Sequence, residues 1–176
     1  MKSEDAARRL IGLLASRGCT ISLAESCTGG LVSALMTSLP GVSRVFKGAI
    51  VAYDDEVKHR MLGVEPGILQ GNGSVSEECA RAMAIGAAVR FETDFALAIT
   101  GIAGPEGGST EKPVGTICFG LASRGTASSV KALFSGNRKE IRDTATLTGL
   151  ELMASHFMAS FELDNPTEGG VTLDQA

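Results

Sequence analysis

Hydrophobic residues near the start of the chain recur every three or four positions, from Ala7 to Leu14. This spacing places them on one face of a helix. Other segments are rich in β-branched and aromatic residues and have strand length, and residues 95–100 are almost uninterruptedly apolar, as in a strand buried on both faces. The pattern predicts helices over residues 3–17, 31–39, 55–62, 76–90 and 138–161, and strands over residues 20–24, 45–53, 95–100, 114–122 and 129–134.

The alternation of helices and strands in the first hundred residues predicts an α/β fold, a three-layer α/β/α sandwich around a mostly parallel mixed sheet. The last two strands are joined at residues 124–126 and would add an antiparallel hairpin. Residues 66–73 contain one proline and three glycines and are expected to form a loop. We expect one domain over residues 1–163, followed by a polar flexible tail over residues 164–176.

The net charge of the 176-residue chain is −4, so it offers no general attraction to nucleic acid, and any bound phosphate must be recognised locally. Four cysteines without a Cys-x-x-Cys pair are typical of free thiols in a reducing cytosol. The charged N-terminal segment does not predict a secretory signal, and no membrane span is visible. We therefore expect a cytoplasmic protein that does not bind membranes.

The sequence lacks the common nucleotide-binding and nucleophile motifs, including a Walker A loop, a Gly-x-Gly-x-x-Gly fingerprint and a Gly-x-Ser-x-Gly elbow. Its two histidines do not have metal-ligand spacing, so neither a metal nor another cofactor is expected. In open α/β sheets, ligands bind at the carboxyl ends of strands. Three segments follow predicted strands in this way, at residues 26–30, 53–58 and 100–108.

Ser26 is the candidate nucleophile because it lies between a predicted strand and a helix, where its hydroxyl would project at the sheet edge. The backbone N–H groups of Thr28, Gly29 and Gly30 would face an incoming anion or oxyanion. The alternative is that Ser26 only caps the helix, which is a common role for serine.

Lys58 is the candidate base, since a serine hydroxyl needs activation and a buried lysine can provide it. Tyr53, the only tyrosine of the chain, precedes it by five residues and could assist proton transfer. His59 is a rival base whose side chain points about 100° away around the helix. The alternatives are a solvated lysine and an aromatic residue that covers the core.

The loop after the third predicted strand combines the hydroxyl of Thr100 with the exposed backbone of Gly101, Ala103 and Gly104, which suits a phosphate or a ribose. The alternative is a wide surface turn. Two arginines near the start of the last helix, Arg138 and Arg142, have guanidinium groups suited to phosphate, or they are ordinary solvated charges.

Five motifs lie in order along the chain: Leu-Ala-Glu-Ser-Cys-Thr-Gly-Gly at residues 23–30, Leu-Gly-Val at 62–64, Val-Ser-Glu-Glu at 75–78, Thr-Gly-Ile-Ala-Gly-Pro at 100–105 and Lys-Pro-Val-Gly-Thr at 112–116. Together with Tyr53 and Lys58, they resemble the CinA C-terminal domain family, the nicotinamide-nucleotide amidases. The resemblance extends from about residue 5 to residue 161. It implies hydrolysis of nicotinamide mononucleotide to nicotinic acid mononucleotide and ammonia.

The resemblance also implies a role for each candidate residue. Ser26 would attack the amide carbon, Lys58 would accept and return the proton, and Tyr53 would assist. The loop from Thr100 to Gly104, with Arg138 or Arg142, would hold the ribose and the phosphate. Some members carry an N-terminal nucleotide pyrophosphatase domain, an activity not expected here because the amidase-like segment begins near the first residue.

Two positions depart from the family pattern, which often has Gly-Asp-Arg at residues 136–138 and asparagine at residue 55. Asn137 leaves open which arginine binds phosphate. Asp55 would place a negative charge beside Lys58, which favours the charged amine and opposes its role as a base. A nucleotide-binding or regulatory module without turnover is therefore the alternative function, and a metal-dependent hydrolase is a third. The small-residue helix faces lead us to expect a homo-oligomer.

Overall fold

The part of the chain that the structure describes, a computed structural model covering residues 2–123 and 125–162, contains six α-helices and five strands. The helices are α1 (Ser3–Ser16), α2 (Leu31–Thr37), α3 (Asp55–Leu62), α4 (Pro66–Gly71), α5 (Glu77–Phe91) and α6 (Arg138–Glu162). The strands are β1 (Ile21–Glu25), β2 (Phe46–Val51), β3 (Phe95–Gly101), β4 (Thr116–Ser123) and β5 (Thr126–Leu133).

The strands form one mixed sheet in the order β2-β1-β3-β4-β5. β1 is parallel to both β2 and β3, whereas β3 and β4, and β4 and β5, are antiparallel. Helices cover both faces of the sheet, so the predicted α/β sandwich with a mixed sheet is confirmed. Four of the five strands run in one direction, and only β4 opposes them.

The side chains of β3 alternate between two buried hydrophobic clusters, one on each face of the sheet. Phe95, Leu97 and Ile99 are buried in a cluster with α1, α2 and α6, whereas Ala96 and Ala98 are buried in a cluster with α3 and α5. Because small side chains allow the closest approach of helix and sheet, α5 packs nearer to the sheet than a leucine-rich helix could. The small-residue face of α5 therefore serves sheet packing.

Residues 66–71 form a helix, so the prediction of a loop there was wrong. Pro66 occupies the first position of α4, and Glu65 before it has an extended backbone. Proline suits the first helical turn because its fixed φ fits a helix and its missing N–H is not needed there. Pro66 thus begins a short helix, whereas we expected residues 66–73 to form a loop.

The predicted hairpin is confirmed, although β5 begins at Thr126, three residues before the predicted position. The predicted tail at residues 164–176 lies outside the described residues, and the single-domain assignment stays a prediction. α6 has 25 residues, yet neither it nor any other helix within residues 2–123 and 125–162 is long and apolar enough to cross a membrane.

The strand order creates a crevice between the carboxyl ends of β1 and β3. The chain leaves β1 towards β2 on one side and returns through α3, α4 and α5 to β3 on the other side. Such a reversal leaves an opening between the connecting segments, and this is where open α/β sheets bind ligands. Ser26 directly follows β1, and Gly101 ends β3, so both lie at this opening.

Two helical glycines provide a matched test of the close packing of α5. A Cβ atom at Gly86 would overlap the Leu62 carbonyl oxygen, whereas Gly12 in α1 has nothing within 4 Å of the same position. We expect Gly86→Ala to lower the free energy of unfolding by about 1–3 kcal/mol through overpacking. Gly12→Ala should raise it by about 0.5–1 kcal/mol through helix propensity. Denaturant unfolding of both variants measures the difference, and equal stabilisation by both would contradict the packing described here.

Candidate active site

A cavity of about 160 Å³ opens at the carboxyl ends of β1, β2 and β3. It brings together seven of the predicted site residues, from three separate segments and from the start of α6. The lining consists of Ser26, Cys27, Tyr53, Lys58, Ser74, Val75, Thr100, Gly101, Ala103 and Arg138. Five predicted residues do not line it, namely Thr28, Gly29, Gly30, Gly104 and Arg142.

Ser26 is fixed by its backbone and free at its side chain. Its N–H donates to the Ile99 carbonyl at 2.9 Å, and its own carbonyl accepts from the Gly29 N–H at 3.0 Å. The residue is only 7% exposed, and its hydroxyl has no hydrogen-bond partner among the described residues. The hydroxyl is therefore available to a molecule in the cavity.

Glu25, which sequence reasoning missed, shapes the loop that follows β1. Its buried carboxylate accepts hydrogen bonds from the backbone N–H groups of Gly30 at 2.9 Å, Val32 at 3.2 Å and Ser33 at 2.9 Å. The Ser33 hydroxyl also donates to it. The sequence signal that could have indicated this role is the glycine at the N-cap of α2. Because glycine has no side chain with which to cap a helix, another residue must accept hydrogen bonds from the first N–H groups.

These bonds correct the expectation that Gly29 and Gly30 would present free N–H groups to an oxyanion. The Gly30 N–H is taken by Glu25, and the Gly29 N–H is taken by the Ser26 carbonyl. Within this loop, the N–H groups of Cys27 and Thr28 are the ones without a backbone acceptor among the described residues.

Arg142 holds the same loop from the other side and does not reach the cavity. Its Nε donates to the Cys27 carbonyl at 3.0 Å and its Nη2 to the Thr28 carbonyl at 2.7 Å. Nη2 also lies 3.3 Å from where a Cβ atom would stand at Gly29, so the arginine packs tightly against the loop. Its guanidinium is engaged with the protein and is not presented to a ligand.

Lys58 is 2% exposed and lies on the first turns of α3, which is capped by Asp54. Its Nζ donates to the Asp55 carboxylate at 2.9 Å and to the Tyr53 carbonyl at 3.1 Å. The lysine lines the same cavity as Ser26, but no hydrogen bond joins the two side chains in this structure. The rival base His59 directs Nδ1 to the Val64 carbonyl at 2.9 Å and does not line the cavity.

Arg138 spans the mouth of the cavity. Its Nη1 donates to the Gly104 carbonyl at 2.6 Å, and its Nη2 donates to the Tyr53 hydroxyl at 3.1 Å. Tyr53 is 62% exposed, so its phenol is at the rim and contacts Arg138, not Lys58. Thr100 is buried at the floor, where its hydroxyl donates to the Ser74 carbonyl at 2.7 Å. Within the described residues, Arg138 and Lys58 are the two cationic side chains that line the cavity.

Residues 3–157 match the family model described as the CinA C-terminal domain. The chain belongs to this family. A CinA-like protein of Dictyoglomus turgidum is 51% identical over 144 residues, which are 82% of this chain and 35% of that protein. A CinA-like protein of Mycobacterium tuberculosis is 47% identical over 137 residues, which are 77% of this chain and 32% of that protein. The chain thus spans about a third of the length of these curated relatives.

Solved structures of the CinA superfamily share the fold. A competence/damage inducible protein from Agrobacterium tumefaciens has a TM-score of 0.84 at 40% identity, covering 87% of this chain and 94% of that one. The competence damage-inducible protein A from Klebsiella pneumoniae has a TM-score of 0.87 at 28% identity, covering 90% and 98%. The match extends over nearly all of each of these two solved chains.

A thiol in the cavity of this CinA domain competes with Ser26 as a nucleophile. Cys27 is the next residue, and cysteine is the stronger nucleophile when it is ionised. Burial raises the pKa of the Cys27 thiol to about 12, although Arg142 and two backbone N–H groups oppose this shift. The thiol is therefore protonated at neutral pH, and the serine is the better candidate.

No metal centre competes with this assignment in the described part of the CinA domain. Across residues 2–123 and 125–162, no group of three or more His, Cys, Asp or Glu side chains is arranged to hold a metal ion. The side chains that line the cavity supply a hydroxyl, an amine and a guanidinium, which suit acyl transfer on an anionic substrate.

The raised pKa of Cys27 predicts slow alkylation. A thiol with a pKa of about 12 is ionised in roughly one molecule in ten thousand at pH 8, whereas an ordinary thiol is ionised in about a fifth or more. We expect iodoacetamide to leave Cys27 unmodified in the folded protein at pH 8, as measured by peptide mass spectrometry. In denaturant the same reagent should modify all four cysteines. Rapid labelling of Cys27 in the folded state would return the thiol to consideration as the nucleophile.

Proposed function

We propose that this CinA C-terminal domain hydrolyses the carboxamide of nicotinamide mononucleotide to give nicotinic acid mononucleotide and ammonia. The observation that carries the proposal is the pairing of an uncommitted serine hydroxyl and a buried lysine amine in one small cavity. A hydroxyl activated by an amine needs neither metal nor cofactor to cleave an amide. Family membership supports the same activity through the resemblance described above.

The first half of the reaction forms an ester on Ser26. Oγ bonds to the amide carbon while its proton passes to the neutral Nζ of Lys58. The backbone N–H groups of Cys27 and Thr28 are the donors left to stabilise the oxyanion, and such a donor contributes about 3 kcal/mol in serine hydrolases. The carbon–nitrogen bond then breaks as Lys58 returns the proton to the leaving nitrogen, which departs as ammonia.

The second half releases the acid. A water molecule attacks the ester carbon while Lys58 accepts one of its protons and passes it to the departing Ser26 Oγ. The products are the free serine and a pyridine carboxylic acid, so the lysine and the serine end in their starting states. The same amine thus serves as base and as acid in both halves, as in other hydrolases with a single proton carrier.

Cavity size and charge support a nucleotide whose amide enters first. A volume of about 160 Å³ equals about five water molecules, so it suits the amide end and not a whole nucleotide. Ribose and phosphate would then lie at the mouth, where Arg138 and Tyr53 are located. A guanidinium is well suited to a phosphate because it can donate two parallel hydrogen bonds. We assign the phosphate to Arg138, because Arg138 lines the cavity and Arg142 does not.

Substitution of the nucleophile tests the proposal. We expect Ser26→Ala to lower ammonia release from nicotinamide mononucleotide by at least about a thousand-fold, because the covalent step is lost. A coupled assay for ammonia measures the rate, and calorimetry should show that the variant still binds the nucleotide. Ser38→Ala, at an exposed serine after α2, is the matched control and should retain full activity. Unchanged turnover in Ser26→Ala would remove the serine from the mechanism. Wild-type protein that binds the nucleotide but releases no ammonia would favour the non-catalytic binding module.

Substitution of Arg138 tests the assignment of the phosphate. A charge-assisted hydrogen bond is worth about 1.5–3 kcal/mol, so Arg138→Gln should raise KM for nicotinamide mononucleotide by roughly 10- to 100-fold. The phosphate-free nucleoside should show no such change, because it lacks the group that the arginine binds. Lys139→Gln, at the exposed neighbouring cation, is the control. An equal rise of KM for nucleotide and nucleoside would show that Arg138 does not recognise phosphate.

A further inference from the structure

Thr100 and Ser26 are neighbours on adjacent parallel strands. β1 and β3 pair with Glu25 opposite Ile99, and the Ser26 N–H continues this pairing by donating to the Ile99 carbonyl at 2.9 Å. Residues that are opposite each other on parallel strands point to the same face of the sheet, and adjacent strands lie about 4.8 Å apart. One position further along the two strands, Ser26 and Thr100 therefore line the same cavity side by side.

The hydroxyl proton of Thr100 is already used within the protein. Oγ1 donates to the Ser74 carbonyl at 2.7 Å, and a carbonyl oxygen can only accept, so the direction of this hydrogen bond is fixed. Thr100 is buried, and both residues line the cavity. Because a hydroxyl has one proton and two lone pairs, Thr100 offers an acceptor, and not a donor, to a molecule in the cavity.

Reversing this hydroxyl is unfavourable. The Ser74 carbonyl receives no other hydrogen bond among the described residues. If Thr100 donated its proton to a ligand, that carbonyl would lose its partner, and an unsatisfied acceptor away from water costs more free energy than an ordinary hydrogen bond contributes. The bond to Ser74 therefore keeps Thr100 as an acceptor when a ligand is bound.

The cationic side chains of the cavity have the opposite character. Lys58 donates to two oxygen atoms at the start of α3, and Arg138 donates to the Gly104 carbonyl and to the Tyr53 hydroxyl. Among the described residues that line the cavity, Thr100 is thus the side chain whose hydroxyl is restricted to accepting. It is suited to an N–H group of a ligand.

From this arrangement we infer that Thr100 is a specificity-determining residue that accepts a hydrogen bond from the amide nitrogen of the substrate, so that the cavity selects a primary amide over a group of equal size without an N–H. The inference rests on the proposed function, because it names the part of that substrate which Thr100 recognises. Since the two strands are about 4.8 Å apart, an amide whose carbon lies at the Ser26 hydroxyl can place its nitrogen at Thr100. Thr100 then contacts the leaving nitrogen, and not the ribose or the phosphate.

A nucleotide of equal size tests this inference. In 3-acetylpyridine mononucleotide a methyl group replaces the NH2 group of the amide, so the shape is kept and both donors are lost. Calorimetry measures the dissociation constants of both nucleotides in the Ser26→Ala protein, which cannot form the ester. We expect the amide to bind roughly 10-fold more tightly, because the Thr100 oxygen has no partner when it faces a methyl group. Thr100→Val should reduce this ratio to about one, and Thr100→Ser should restore it.

Matched variants in the same Ser26→Ala protein separate recognition from structure. The buried Thr116 hydroxyl donates to the Pro113 carbonyl at 2.7 Å, as Thr100 does to Ser74, but Thr116 does not line the cavity. Thr116→Val should therefore leave the ratio unchanged. Ser74→Ala, which keeps the carbonyl and removes the second hydroxyl, should also leave it unchanged. If Thr100→Val does not fold, Thr100→Ala gives the same test, because it leaves room for a water molecule at the Ser74 carbonyl.

Two measurements keep this inference distinct from the proposed function. If the wild type releases no ammonia but the preference for the amide depends on Thr100, the proposed function fails and the recognition stands. If ammonia is released but both nucleotides bind equally well, or the preference survives Thr100→Val, the inference alone is overturned. Loss of the preference in Thr116→Val or Ser74→Ala would also overturn it. Binding of neither nucleotide would overturn both.

Discussion

The buried carboxylate of Glu25 and the N-terminus of α2 satisfy each other, and the candidate site depends on this interaction. An ionised carboxylate inside a protein is very unfavourable without hydrogen-bond donors, and the first N–H groups of a helix lack acceptors within the helix. Three backbone N–H groups and the Ser33 hydroxyl meet the carboxylate. Because Glu25 is the last residue of β1, this interaction fixes where the chain turns. Ser26 begins that turn.

A second anchor holds the turn from the opposite direction. Arg142 of α6 donates to the carbonyls of Cys27 and Thr28, so the loop after Ser26 lies between a carboxylate and a guanidinium. Both anchors act on the backbone or on the helix end, and neither contacts the Ser26 hydroxyl. The Ser26 hydroxyl is thereby positioned without being occupied. The N-terminus of α2, in contrast, is filled by Glu25, and the guanidinium that lines the cavity is that of Arg138.

Lys58 is oriented by its own segment of the chain. Its buried Nζ donates to the Asp55 carboxylate and to the Tyr53 carbonyl, both within five residues of the lysine. The start of α3 therefore sets the direction of this amine, whereas the packing of β1 and β3 brings Ser26 and Thr100 to the same cavity.

The layers of the fold and the three segments that meet at the sheet edge could be predicted from the residue pattern alone. Apolar periodicity and strand length are local properties, and residues 95–100 carried a clear signal of a central strand. The same local character explains the error at Pro66, where a proline can either begin a helix or interrupt one, and only the neighbouring elements decide. Ser26, Lys58 and Tyr53 could be named because each follows a strand that ends at that edge.

Which side chains are engaged with the protein and which are open to the cavity became evident from the packed fold. Two arginines one helical turn apart looked equivalent in sequence, but Arg142 is directed to loop carbonyls and Arg138 to the cavity mouth. Likewise, the glycine at the N-cap of α2 indicates that this helix needs an acceptor from elsewhere, but the packing of α2 is what makes Glu25 that acceptor. Hydrogen-bond partners distant in sequence are set by the packing of whole elements, and for that reason the pattern of residues cannot specify them.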